Sequence, residues 1–170
     1  MKDFLAQPPS QALVLDADAL NHIAALKLSV PPGSILTPHV KEFERLCGPS
    51  KNSFERWEKA QAFAKKTNSV LVLKGANTCV FTSSGERYYN ASGNYGMAKG
   101  GAGDVLTGLI TALRAQGYGP TEAAVLGVFL HGRAGDLAAD KLGRDALCAS
   151  DLIDHLSGAW KSLRSACTTA

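Results

Sequence analysis

No two of the four cysteines, at positions 47, 79, 148 and 167, stand closer than nineteen residues, so the chain has no CxxC metal or redox motif. No run of five Lys or Arg occurs, and 18 basic against 15 acidic residues leave a formal charge of only +3. That balance excludes the basic patch of a nucleic-acid binder or a membrane-surface protein. No apolar run reaches the roughly 18 residues of a membrane span, and no basic segment leads into an apolar one at the start. Internal repeats, low-complexity tracts and linkers are also missing. What remains is ordinary for a globular protein: 170 residues, 45% hydrophobic. The expectation is one cytoplasmic domain over residues 1–170 with reduced thiols.

Apolar runs and breakers predict the order of elements. Residues 1–10, with Gln7-Pro8-Pro9-Ser10, read as a loop. Ala12 to Leu15, Ser34 to Thr37 and Val70 to Leu73 are short β-type runs of the buried kind. Thr78 to Thr82 and Arg87 to Asn90 flank Ser83-Ser84-Gly85-Glu86 as a hairpin. Helices are expected over 18–26, 39–47, 53–66, 104–116, 121–142 and 146–163, with Ser53 as a cap. Strands thus alternate with helices, and the last third is helical. The reading is an α/β layered fold with a mostly parallel sheet. A core-type first strand needs a neighbour on each side, so it either lies at an edge or takes part of its sheet from elsewhere.

Glycine is the abundant residue: seventeen, a tenth of the chain against a usual ~7%. Six of them (93, 96, 100, 101, 103 and 108) crowd into sixteen residues. Gly100-Gly101-Ala102-Gly103 has almost no side chain and runs directly into an apolar helix. Such a loop lets main-chain N–H groups converge on one anion, with the helix dipole adding to the attraction. Phosphate is the expected ligand. Asp104, at the loop's end, is a carboxylate where an anion binds. It either takes a proton from an attacking hydroxyl, holds Mg²⁺, or caps the helix. The loop is neither a Walker A box nor a GxGxxG fingerprint.

The stretch Gly93 to Gly108 resembles the signature of the ribokinase-like superfamily, and more closely that of the ADP-dependent NAD(P)H-hydrate dehydratases. Three further segments match that family in the same order: Asp16-Ala17-Asp18-Ala19-Leu20-Asn21, Leu36-Thr37-Pro38-His39 with the residues through Leu46, and Leu73-Lys74-Gly75-Ala76-Asn77-Thr78. The resemblance implies a ribokinase-like fold. It implies that Gly100, Gly101, Ala102 and Gly103 form the anion hole at the transferring phosphate. Asp104 would be the catalytic residue, contacting the hydrated nicotinamide and activating its hydroxyl. Lys74, Gly75, Ala76, Asn77, Thr78 and Gly103 would bind the adenine nucleotide, and His39 would face the hydrated dinucleotide. The implied reaction repairs NADH or NADPH that has gained water on the nicotinamide ring. ADP or ATP is the phosphoryl donor and Mg²⁺ accompanies it; no residue is assigned as a direct metal ligand.

The residues themselves leave alternatives beside these roles. Lys74 ends a buried strand at the edge where α/β proteins bind ligands, or points to solvent there. His39 hydrogen-bonds substrate or caps its helix. Asp16, Asp18 and Asn21 hold Mg²⁺ through water or cap the following helix. Glu42 and Arg45 read as a solvated face, His131 as a packed core histidine, and Trp57 and Trp160 as packing residues. The chain departs from the family in two ways. Only eleven residues precede Ala12, where family members carry a further N-terminal portion, so a truncated domain is expected. The loop also has Tyr95, Lys99 and Ala102 where the family commonly has proline, threonine and threonine. Alternative functions are a ribokinase-like small-molecule kinase or a nucleotide-binding module without turnover. An incomplete sheet would expose an apolar edge, so a homo-oligomer is expected.

Overall fold

The computed structural model describes residues 12–168. The expected opening loop at 1–10 lies outside them, as does the side chain of Cys167. Five strands form one sheet in the order β1-β2-β3-β4-β5. β1 (Val14–Leu15), β2 (Ile35–Leu36) and β3 (Val70–Leu73) are parallel, with Val14 opposite Ile35 and Ile35 opposite Val70. β4 (Cys79–Phe81) and β5 (Arg87–Tyr89) follow as the expected hairpin, β4 pairing antiparallel with β3 and β5 antiparallel with β4. Its turn is closed by Thr82, whose N–H bonds the Glu86 carbonyl and whose hydroxyl accepts from the Glu86 N–H. Among the described residues β1 is an edge strand.

Alternation along the strands sends side chains to two cores. Leu36, Leu71, Leu73 and Phe81 face α1 (Asp18–Leu26), α2 (Val40–Cys47) and α3 (Ser53–Thr67), where they meet Leu20, Ile23, Phe43, Ala60 and Ala64. Ile35, Val70, Val72 and Val80 face α4 (Ala102–Ala115) and α5 (Pro120–Leu142), against Leu106, Ile110, Leu113, Ala124 and Val128. All four residues of β3 are buried. Each such side chain contributes about 1.5–3 kcal/mol by leaving water. This is why β3 reads as an unbroken apolar run rather than an alternating one. α6 (Ala149–Thr168) lies outside the sheet layers and packs Ala159 on Leu130 and Ala134 of α5. Trp57 and Trp160 pack against these clusters, as expected. No helix among the described residues is long and apolar enough to cross a membrane.

α4 begins at Ala102 rather than 104 and α6 at Ala149 rather than 146, and two capping roles differ from expectation. Asn52, not Ser53, caps α3: its side-chain oxygen accepts from the Glu55 N–H at 2.9 Å. Glu42 is not on a solvated face. It is 7% exposed and closes a capping box with His39, accepting from the His39 N–H at 2.8 Å while His39 Nδ1 accepts from the Glu42 N–H at 3.1 Å. The usual signature of that box has Ser or Thr at the first position, so a histidine there conceals it.

Candidate active site

The carboxyl ends of the three parallel strands place Asp16, His39 and Lys74 side by side. The Lys74 N–H bonds the Pro38 carbonyl at 2.8 Å, a single bridge that carries the β2–β3 pairing one step past the strands. Lys74 Nζ then reaches Asp16, 2.9 Å from Oδ1 and 3.2 Å from Oδ2. Thr107 of α4 donates its hydroxyl to Asp16 Oδ2 at 2.7 Å and lies 3.3 Å from the Thr37 hydroxyl. The Lys74 and Asp16 side chains are 19% and 10% exposed. Asp16 therefore neither caps α1, which has no side-chain cap, nor stands free for an ion. It holds an ammonium in place. Arg45, exposed as expected, donates to Asn21 at 2.8 Å.

That ammonium points at the glycine loop. A Cβ added at Gly103 would come within 3.2 Å of Lys74 Nζ, so the absent side chain is what lets the charge approach the start of α4. Gly101 precedes the helix with φ +86°, a left-handed conformation that glycine adopts without strain. The N–H groups of Gly100, Gly101, Gly103 and Asp104 have no hydrogen-bond partner among the described residues. Free N–H groups at a helix start, beside a fixed ammonium, make an anion-binding site with a positive field. The Asp104 carboxylate is exposed and makes no ion pair among the described residues.

A cavity of about 750 Å³ opens at this point. His39, Lys74, Gly75, Ala76, Thr78, Ala102 and Gly103 line it. The structure thus gathers most of the expected site residues on one cavity. Asn77, Gly100, Gly101 and Asp104 lie outside its walls, and His39 serves as a helix cap with its side chain half exposed toward the cavity. A second cavity of similar size, between α1 and α3, contains none of the expected residues.

The opposite wall was not foreseen. It is the segment 90–97, clamped to α5. Gly93 N–H donates to Asp136 Oδ2 at 2.9 Å, and Asn94 Nδ2 donates to Asp136 Oδ1 at 3.0 Å and to the Gly135 carbonyl at 3.0 Å. Ser92 donates to the Phe129 carbonyl at 3.0 Å. Contact is so close that a Cβ at Gly132 would meet Ser92 at 2.3 Å and one at Gly135 would meet Met97 at 2.2 Å. The paired glycines in an apolar helix were the available signal; Asp136 had none. His131 is packed as expected, and it also belongs to the cavity wall. Its Nε2 lies 2.9 Å from the Ala102 carbonyl, which can only accept, so Nε2 carries the proton. Burial holds its pKa below the ordinary value; the nearby Lys74 charge pushes the same way, against the bond to Ala102. The imidazole is a neutral strut under the first residue of α4.

Residues 2–157 match the Carb_kinase family, described as NAD(P)H-hydrate dehydratase. The chain belongs to this family. It is 46% identical over 149 residues to the bifunctional NAD(P)H-hydrate repair enzyme of Moorella thermoacetica, which covers 84% of this chain and 28% of that protein. The ADP/ATP-dependent NAD(P)H-hydrate dehydratase of Bacillus subtilis, co-crystallized with ATP and Mg²⁺, superposes with a TM-score of 0.82 at 34% identity, covering 95% of this chain and 58% of that one. A ribokinase-like superfamily protein of Enterococcus faecalis superposes with a TM-score of 0.79 at 31% identity, covering 94% and 56%. The fold is therefore the ribokinase-like one expected, and the chain spans little more than half the length of these solved relatives. The family's glycine signature coincides with the loop that opens α4, where the free N–H groups and Lys74 meet.

Proposed function

We propose that the chain acts in the ADP-dependent dehydration of hydrated NADH or NADPH. One observation carries the reading. The ammonium of Lys74, anchored by Asp16, and Gly103 at the start of α4 meet on one cavity that His39, Gly75, Ala76 and Thr78 also line, next to the unpartnered amides of Gly100, Gly101 and Asp104. Gly100, Gly101, Ala102 and Gly103 receive the transferring phosphoryl group, whose charge the amides and Lys74 stabilise. Gly75, Ala76, Asn77 and Thr78 hold the nucleotide, and His39 faces the hydrated dinucleotide. Asp104 removes the proton from the ring hydroxyl as its oxygen attacks the terminal phosphorus of ADP, releasing AMP. The phosphate ester then loses inorganic phosphate and a ring proton, which restores the double bond. Phosphate leaves far more readily than hydroxide, which is the reason for spending the nucleotide.

Among the described residues no cluster of three acidic, histidine or cysteine side chains is placed to hold a metal ion. Asp104 is the free carboxylate nearest the anion loop, and Mg²⁺ arriving on the nucleotide's phosphates would neutralise their charge there. The setting we infer is the cytoplasm, consistent with the free thiols of Cys47, Cys79 and Cys148. We also infer self-association through the open edge of β1, without nucleic acid or membrane as partner. Sedimentation at micromolar concentration showing only monomer would refute that part.

The test mixes the protein with hydrated NADH, ADP and Mg²⁺ and follows the absorbance of reduced nicotinamide. Recovery is expected, reduced at least ~100-fold in Asp104→Ala, the scale of a lost general base. A second reading, nucleotide binding without turnover, rests on the exposure of Asp104 outside the cavity walls. ADP binding by the wild type with no recovery selects it.

A further inference from the structure

Tyr95 is the odd residue of the cavity. It lines the wall, yet its side chain leaves the residue 66% exposed. An aromatic ring that lines a cavity while largely in water offers a flat apolar face that a ligand can cover. Its mount is rigid. Tyr95 begins a single 3₁₀ turn, Tyr95–Met97, capped by Asn94, whose side-chain oxygen accepts from the Gly96 N–H at 3.1 Å. The same Asn94 is fixed to Asp136 and Gly135 on α5.

The ring also has a partner. The Arg144 guanidinium stands 5.3 Å from its centroid. Arg144 makes no ion pair among the described residues, and it is exposed. The two residues are held in register by backbone contact: a Cβ at Gly96 would fall 2.3 Å from the Arg144 carbonyl oxygen. Arg144 lies outside the cavity lining while Tyr95 is part of it. The guanidinium lies over the ring from outside the cavity lining, and the ring is part of that lining.

We propose that Tyr95, backed by Arg144, is a stacking platform for the base of a nucleotide bound in this cavity. The inference deepens the function proposed above and rests on it. A rigid ring loses little entropy on binding, and stacking tolerates any heteroaromatic face. The cation behind the ring adds attraction for an anionic ligand. The base has two sources, the phosphoryl donor or the dinucleotide, and both carry phosphates.

Calorimetric titration separates them, using ADP, NADH and inorganic pyrophosphate as probes on the wild-type chain and on Tyr95→Ala, Tyr95→Phe and Arg144→Gln. Tyr95→Ala is expected to weaken either ADP or NADH by about tenfold, the scale of one lost base stack, and the arm that weakens names the source. Tyr95→Phe keeps affinity within about twofold, because the ring face remains. Arg144→Gln weakens the same arm as Tyr95→Ala, and more at low salt than at high salt. Pyrophosphate, which has no ring, binds Tyr95→Ala as it binds the wild type. Two results overturn the proposal: unchanged affinity of Tyr95→Ala for both nucleotides, or an equal loss for pyrophosphate, which would mean a distorted loop. Binding that behaves as expected without any repair of hydrated NADH would sink the proposed reaction and leave the platform standing. A wild type that binds neither nucleotide overturns both.

Discussion

Replacing Asp16 by alanine strips Lys74 of its carboxylate partner and Thr107 of its acceptor in one step. Both charged side chains are less than one fifth exposed, so water replaces the lost contacts only in part. Breaking a fully buried ion pair costs about 3–5 kcal/mol. Residual exposure on the Lys74 side lowers the expectation to about 2–3 kcal/mol, part of it from the stranded Thr107 hydroxyl. For a chain of this length that is a fall in melting temperature of roughly 4–12 °C. Lys74→Met should cost a similar amount, since it leaves Asp16 buried with Thr107 alone. The decisive measurement is the double variant. If the pair acts as a unit, Asp16→Ala with Lys74→Met costs less than the two singles together by about 1–2 kcal/mol in urea unfolding. Trp57 and Trp160 report the transition. Additive costs would refute the claim that Asp16 holds Lys74, and with it the account of how the strand ends serve the glycine loop.

His131 makes stability depend on pH. Its folded pKa lies below the ordinary 6.5 because burial disfavours the imidazolium. The unfolded chain therefore binds the proton first, so stability is full above pH 6.5 and is lost as pH falls through the folded value. His131→Gln should flatten that part of the profile; equal slopes for variant and wild type between pH 4 and about 6.5 would contradict it. Two loop glycines should behave oppositely. Gly101→Ala meets Ala149 at 3.0 Å and has φ +86°, so a loss of about 1–2 kcal/mol is expected, whereas Gly100→Ala points into open space and should stay within about 0.5 kcal/mol. The thiols sort by burial as well. Cys47 and Cys79 are each pushed up to about 11 by desolvation and should resist a disulfide reagent at pH 8 until the chain unfolds. Exposed Cys148 should react at once, and Cys148→Ser should remove one fast equivalent from the native reaction.

Local signals along the chain carried the element order. Four apolar residues at 70–73 announced a strand covered on both faces, and they are buried on both faces. The turn at 83–86 announced the hairpin, and the glycines at 100–103 announced a helix start with free amides. Each of these depends on neighbours in sequence: strand alternation, the φ freedom of glycine, the orphan N–H groups of a first turn. The antiparallel pairing of β4 with β5 was legible for the same reason, because a short turn allows no other pairing.

The partnerships were a different matter. Nothing near Asp16 in sequence says that its partner is Lys74, fifty-eight positions on, or that Thr107 completes the arrangement. Asp136 is one of three acids on α5 until folding sets it against Gly93 and Asn94. Glu42 was misjudged singly and makes sense only as the partner of His39 in the capping box. Composition and periodicity decided which faces of strands and helices leave water, since that follows from each residue's own chemistry. Which polar side chain neutralises which other depended on the crossing of strand ends, a matter of three-dimensional distance between residues that one-dimensional patterns place far apart.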